Sequence, residues 1–160
     1  MASDMFLMLD GIKGESADDK HKGEIDIESF SWGLAQTGSG QRGTGSGTGK
    51  VDIADITIQK FVDKSSPTLA LYCANGKHIT KGKITVRKAG ENPLEYLTID
   101  LENVFVSNYS LAGSNGAGVP TESLSLNFVK IKKEYWTQNE KGAKGENANF
   151  SWDVAKNIKF

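Results

Sequence analysis

Apolar and polar residues alternate along most of this chain, most clearly at its C-terminus. Phe150, Trp152, Val154, Ile158 and Phe160 share one phase, while Ser151, Asp153, Asn157 and Lys159 share the other. A period of two marks a strand with one face buried. The same pattern predicts strands over Met5–Leu9, Glu24–Leu34, Val51–Val62, Lys83–Lys88, Tyr96–Ser107 and Ser123–Trp136.

Four of these segments change phase midway. Ile25 and Ile27 give way to Phe30 and Trp32, and Val51 and Ile53 to Ile56 and Ile58. Ile99 and Leu101 give way to Val104 and Val106, and Leu124, Leu126 and Phe128 to Val129 and Ile131. One such change is a β-bulge, which bends a strand and re-aims its side chains. Four imply long, bent strands that serve two sheets or close a barrel. The alternative is an apolar outer face covered by another subunit.

One segment follows a different period. Leu69, Tyr72 and Cys73 fall at i, i+3 and i+4, which gives a short helix one apolar face able to plug the open end of a barrel. Ser66 fits its N-cap, Pro67 its first position, and Asn75-Gly76 its end. The expected fold is mostly β: a two-sheet β-barrel or sandwich with one short α-helix at about residues 66–75.

Composition narrows the class. A chain of 160 residues fits a single domain over 1–160, large enough to bury roughly 70% of its unfolded surface. With 38% hydrophobic and 24% charged residues it reads as a globular protein rather than a disordered one. A net charge of -1 gives no reason to expect nucleic-acid binding through phosphate neutralisation. The charge is unevenly spread: residues 1–63 carry eleven acidic and six basic side chains, residues 129–160 four and seven. Those halves attract each other within one chain or between copies.

No stretch approaches the ~20 apolar residues of a membrane helix, so no membrane insertion is expected. The N-terminus lacks the basic region and apolar core of a signal peptide. The expected location is cytoplasmic, with an export route independent of signal peptides left open. The single cysteine, Cys73, leaves no internal disulfide and no thiolate metal cage.

The run "TGSGQRGTGSGTGK" (Thr37–Lys50) imitates two nucleotide motifs. Gly38, Gly40 and Gly43 fit G-x-G-x-x-G, but the segment that follows is β-branched and alternating, so no helix N-terminus is there to hold a pyrophosphate. A P-loop needs glycine at position 44, where Thr44 stands, and Ser or Thr after Lys50, where Val51 stands. No cofactor is expected.

Other candidate chemistry is sparse. Asp18, Asp19 and His21 have cation-binding types, but their local, polar setting reads as a solvated loop. Asp100 and Glu102 share a strand face and read as the wet side of a sheet. A pairing of Cys73 with His21 or His78 stays open, though on an apolar helix face a free thiol behaves as a small hydrophobe. No catalytic centre or metal site emerges, and the expectation is a non-enzyme.

The order of several short stretches is more specific than any one of them. "GIKGES" (Gly11–Ser16) and "HKGEIDIESFSWG" (His21–Gly33) are followed by "DKSSPTL" (Asp63–Leu69), "GKHI" (Gly76–Ile79), "VRKAG" (Val86–Gly90), "EYLTIDLENVFVS" (Glu95–Ser107) and "TESLSLNF" (Thr121–Phe128). This series resembles the haemolysin-coregulated protein (Hcp) family, the tube protein of the type VI secretion system. The resemblance implies a two-sheet β-barrel with a lateral helix, assembled as a homo-hexameric ring. It also implies that rings stack into a secreted tube, propelled by a sheath and tipped by a spike protein, with effector proteins in the lumen. By the same resemblance Thr37–Lys50 is the loop that reaches the next ring, with Thr37, Gly40, Arg42, Gly45, Gly49 and Lys50 as stacking residues. Ser114 and Asn115, in the connection Ala112–Val119, are the implied lumen residues that touch effectors. Two other classes remain beside this one: a small-ligand-binding β-barrel, and an enzyme with a site on unrecognised loops.

Overall fold

A computed structural model describes residues 3–36 and 50–160. In chain order the elements are β1 (Ser3–Leu9), β2 (Ile25–Asp26), β3 (Ser29–Ser31), β4 (Leu34–Ala35), β5 (Asp52–Ile53) and β6 (Ile56–Phe61). Then come α1 (Ser66–Asn75), β7 (Ile79–Lys88), β8 (Glu95–Ala112), β9 (Thr121–Asn127), β10 (Lys130–Gln138) and β11 (Lys144–Asp153). The described strands pair antiparallel in one ladder, β2-β1-β7-β8-β9-β6-β3, from which the β10–β11 hairpin branches at β8. A separate two-stranded arm joins β4 to β5 through Leu34↔Ile53 and Ala35↔Asp52.

All four phase changes are places where the chain passes between neighbours. Ile25 pairs with Leu7 of β1, whereas Phe30 pairs with Ile58 of β6. Ile53 lies in the arm and Ile56 opens β6 opposite Leu126. Leu101 of β8 lies between Gly82 and Ile131, whereas Val106 faces Leu126 of β9. Leu126 belongs to β9, and Ile131, four residues after Asn127, belongs to β10 beside Leu101. Only the switch in β8 is a bend within one long strand; the other three fall at breaks, so the expected single strands Glu24–Leu34, Val51–Val62 and Ser123–Trp136 are each divided where the chain leaves one neighbour for another.

The 18-residue β8 makes this possible. Its first part lies between β7 and β10, its second part pairs with β9, and Asn103 sits between them at φ 53. Asparagine tolerates this left-handed conformation better than a β-branched residue would. The resulting two-layer sheet stays open among the described residues: its ends, β2 and β3, are separated only by Ile27 and Glu28.

One hydrophobic cluster fills the space between the layers, with Leu7, Ile84 and Ile99 from one side, Ile58 and Leu124 from the other, and Leu69 from α1. Leu69 is fully buried, while Tyr72 and Cys73 are half-buried against the same cluster. Helix α1 begins one residue earlier than the sequence suggests. Ser65 is the N-cap and Pro67 sits inside the first turn, because the Ser66 side chain turns inward to a buried carboxylate. Gly76 ends the helix at φ 66, as expected of a glycine cap.

Three other bounds differ from expectation for local reasons. β7 starts at Ile79, earlier than expected, since Gly82 occupies an inward position where an apolar residue would have continued the pattern. A Cβ there would sit 3.0 Å from the Leu9 side chain. β8 runs on to Ala112 because its outward residues there are polar. The C-terminal strand ends at Asp153 rather than running to Phe160. Asp153 Oδ1 accepts from the Lys156 amide at 2.9 Å, Asn157 turns at φ 56, and Ile158 returns to pair with Asp153.

Candidate functional site

The outward faces of the two layers have different chemistry. On the layer built from β7, β8, β10 and β11, the register aligns charges of alternating sign: Lys81, Glu102 and Lys130 in one row, and Lys83, Asp100 and Lys132 in the next. Lys130 lies 3.8 Å from Glu102, and Lys132 lies 2.7 Å from Glu134. Asp100 and Glu102 thus belong to a charged sheet face and not to an acid/base pair, as their alternation implied.

On the layer built from β3, β6, β9 and the end of β8, the outward rows are neutral. Ser29, Gln59, Ser123 and Ser110 form one row; Ser31, Thr57, Ser125 and Asn108 form the next. Gln59 Nε2 donates to Ser123 Oγ at 3.0 Å. At the margin, Asp55 accepts from Ser107 Oγ at 2.6 Å and Asn127 Nδ2 at 2.8 Å. This face was legible only as serine-rich alternation, and its continuity across four strands depends on register.

Beneath it lies a buried polar lock. Lys60 and Glu122 are opposite one another on the inward face of β6 and β9, with side chains fully buried and ion-paired. Lys60 Nζ also donates to Asp63 Oδ1 at 3.0 Å and the Phe61 carbonyl at 2.9 Å. Glu122 accepts from Ser66 Oγ at 2.6 Å and from the Tyr109 hydroxyl. Burial, then the hydrogen bond to Glu122, pushes the Tyr109 hydroxyl up to about 12. The lock ties the first turn of α1 to three strands. Its signal was present in the sequence: Lys60 continues the inward phase of Ile56 and Ile58, and Glu122 that of Leu124 and Leu126.

A second cluster overturns the solvated-loop reading of Asp18 and His21. His21 is buried, stacked on Phe6 with ring centroids 4.3 Å apart. Its Nδ1 lies 2.7 Å from Glu24 and its Nε2 2.7 Å from Glu95. Asp18 takes a two-pronged hydrogen bond from Arg87, which also reaches Asp4 at 3.2 Å. That bond holds the Asp18 carboxyl down at about 2. Arg87 and Glu95 are distant in sequence, so the short-range pattern could not reveal them. Gly14 lets this loop close, since a Cβ there would lie 2.4 Å from the Glu24 carbonyl oxygen. Across a groove, Asp18 and Asp19 face Lys141 and Lys144 of the β10–β11 tip, so part of the charge asymmetry meets within one chain.

The remaining expected residues are not gathered into a site. His78 is exposed and bonds Asn103 at 2.8 Å, and neither histidine has Cys73 as its hydrogen-bond partner. Ser114 and Asn115 are exposed on the β8–β9 connection. Lys50 is exposed at the base of the arm, while Thr37, Gly40, Arg42, Gly45 and Gly49 lie outside the described residues. Among the described residues no helix is long and apolar enough to cross a membrane.

This architecture has close counterparts. A family model described as "Type VI secretion system effector, Hcp" matches residues 6–135. The chain is 44% identical to protein hcp1 of Pseudomonas aeruginosa, over 99% of both chains. The chain belongs to the Hcp family. The solved structure of Hcp1 from Salmonella typhimurium is 38% identical, covers both chains fully, and superposes with a TM-score of 0.84. A structure described as a type six secretion system protein gives a TM-score of 0.93 at 27% identity, covering 99% of this chain and all of that one. The Hcp family is one of secreted type VI proteins and not an enzyme family. β11 and the C-terminal turn lie beyond the span of the Hcp family model but inside the match to these relatives.

Proposed function

We propose that this Hcp protein is the structural subunit of a type VI secretion inner tube: six copies close a ring, rings stack, and effector proteins travel in the lumen. Its partners are copies of itself, the spike protein, the sheath and the cargo. It assembles in the cytoplasm and leaves the cell through the secretion machinery. What carries the reading is the near end-to-end match to an Hcp protein at 44% identity.

The two outward faces suit the two sides of such a wall. A neutral hydroxyl and amide face offers cargo hydrogen bonds without a fixed charge to trap it, so the Ser31–Thr57–Ser125 layer is the lumen side. Ser114 and Asn115 extend from the two strands that carry Ser110 and Ser123, and contact effectors at its margin. The charge-laddered face is the sheath side. The segment 37–50 reaches the next ring, where glycine admits close backbone approach. The interior is filled by Leu7, Ile58, Ile84 and Leu124, which disfavours a barrel that holds a small ligand. Deleting Gly40–Thr48 tests the reading. Rings should persist while tubes, seen by electron microscopy, and secretion are lost; a deletion variant that still stacks and is secreted would overturn the loop's role.

A further inference from the structure

The sequence holds two Asn-Gly pairs, Asn75-Gly76 and Asn115-Gly116, and the fold places them in opposite settings. Asn75 is the last residue of α1, so the helix fixes its backbone. Its side-chain oxygen accepts from the Lys77 amide at 2.9 Å. Side chain and backbone are both held.

Asn115 has neither restraint. It lies in the β8–β9 connection, where every residue over 111–121 is exposed. The Ala117 amide donates to the Ser114 carbonyl at 3.3 Å, which puts Asn115 and Gly116 at the centre of a four-residue turn. Gly116 takes φ 85 while Asn115 stays out of the positive region, the pattern of a type II turn with glycine at its second central position. Among the described residues neither the Asn115 side chain nor the Gly116 amide has a hydrogen-bond partner. A Cβ added at Gly116 would meet nothing within 4 Å, so no neighbour resists rotation of this peptide, and glycine itself offers little steric resistance.

An asparagine side chain followed by such a peptide can be attacked by it. The Gly116 nitrogen loses its proton to solvent hydroxide and adds to Asn115 Cγ. A C–N bond forms there, the bond from Cγ to the side-chain nitrogen breaks, and that nitrogen takes a proton from water and leaves as ammonia. Water then opens the five-membered imide. Opening at Cγ gives aspartate; opening at the Asn115 backbone carbonyl gives isoaspartate, with the chain routed through the side chain. In sum, one amide and one water become one carboxylic acid and one ammonia, with no oxidation or reduction.

We propose that Asn115-Gly116 is a site of spontaneous deamidation in the folded protein, and that the fold protects Asn75-Gly76 from the same reaction. Residues 112–120 carry no charged side chain, and the strands they join pair there through neutral Ser110 and Ser123. Conversion therefore introduces a carboxylate at the margin of the neutral face. The modification itself is independent of the tube reading; only its consequence for cargo rests on that reading.

Peptide mapping by mass spectrometry tests this on the purified full-length protein, aged in mildly alkaline buffer made with heavy-oxygen water. Asn115 should convert at least tenfold faster than Asn75. It should take up one heavy oxygen and give two products separable by chromatography, only one of which matches a synthetic aspartate peptide. In urea both pairs lose their surroundings, and the two rates should converge. Asn115→Gln, whose longer side chain would have to close a six-membered ring, should slow conversion at this position at least tenfold. No conversion at Asn115, a single aspartate product, or an Asn75 rate as high as that of Asn115 would overturn the proposal. A rate gap that persists unchanged in urea would assign the difference to flanking sequence and overturn the fold's part in it. If Asn115 converts as expected and the aged protein retains every cognate effector, the modification stands and the cargo role of this connection falls.

Discussion

Lys60 on β6 and Glu122 on β9 sit directly opposite each other inside the sheet, both fully buried and both hydrogen-bonded. Their mutual attraction is offset by the cost of removing two charges from water, so the pair stabilises little compared with apolar residues of similar size. Breaking it is different, because one charge stays buried without a partner. Glu122→Ala should lose about 3–5 kcal/mol in denaturant unfolding. The double variant Lys60→Met with Glu122→Leu should recover most of that loss. A double variant as unstable as the single one would mean that the Tyr109 and Ser66 bonds, rather than the ion pair, hold this end.

Leu69 is the residue through which α1 enters the core. Truncation leaves a cavity that neighbours on β8 cannot fill without moving, so Leu69→Ala should cost about 2–5 kcal/mol. Leu71, on the same helix but 56% exposed, serves as the control and should change stability by less than about 0.5 kcal/mol. Thermal or denaturant unfolding of the two variants decides the point.

Asp18 and Arg87 make stability depend on acid. The carboxyl is lowered from 3.8 to about 2, first by its hydrogen bond from Arg87. The folded state therefore binds fewer protons than the unfolded chain in this window. The contribution is fully present above the ordinary carboxylate range and is lost as pH falls through about 4 towards about 2. Asp18 is partly solvent-exposed, so the effect is modest. The stability gap between the wild type and Asp18→Asn should shrink across that range, and a gap constant with pH would refute the pairing.

Lumen contact has its own test. Replacing Ser114 or Asn115 with Trp should leave ring formation intact and reduce retention of at least one cognate effector, measured by co-purification. Replacing Ser31 with Lys places charge in the neutral face and should do the same. If every effector is retained by all three variants, the cargo face is elsewhere.

The sequence carried the strands because alternation is a local signal. Phe30 and Ile58 already stood in the right phase before their pairing was known. It also marked where the chain changes neighbours, since each phase change at Ile27, Ile53, Leu101 and Phe128 needs only adjacent residues to be seen, but it did not separate the one bend, in β8, from the three breaks between strands. What it hid was long-range. His21 looked like part of a polar loop because Phe6, Glu24 and Glu95 converge on it only after β1 and β8 are placed. The neutral face was hidden in the same way, since Ser31, Thr57 and Ser125 are neighbours only through register. The C-terminal error had another origin: Asn157 at positive φ reverses the chain while the apolar alternation continues through Ile158 and Phe160.

The central claim, a tube built from closed rings, is tested most directly by the mass of the purified protein in solution. Size-exclusion chromatography with light scattering at micromolar concentration should give the mass of six chains, unchanged on dilution through that range. A stable particle with the mass of one chain would contradict the account.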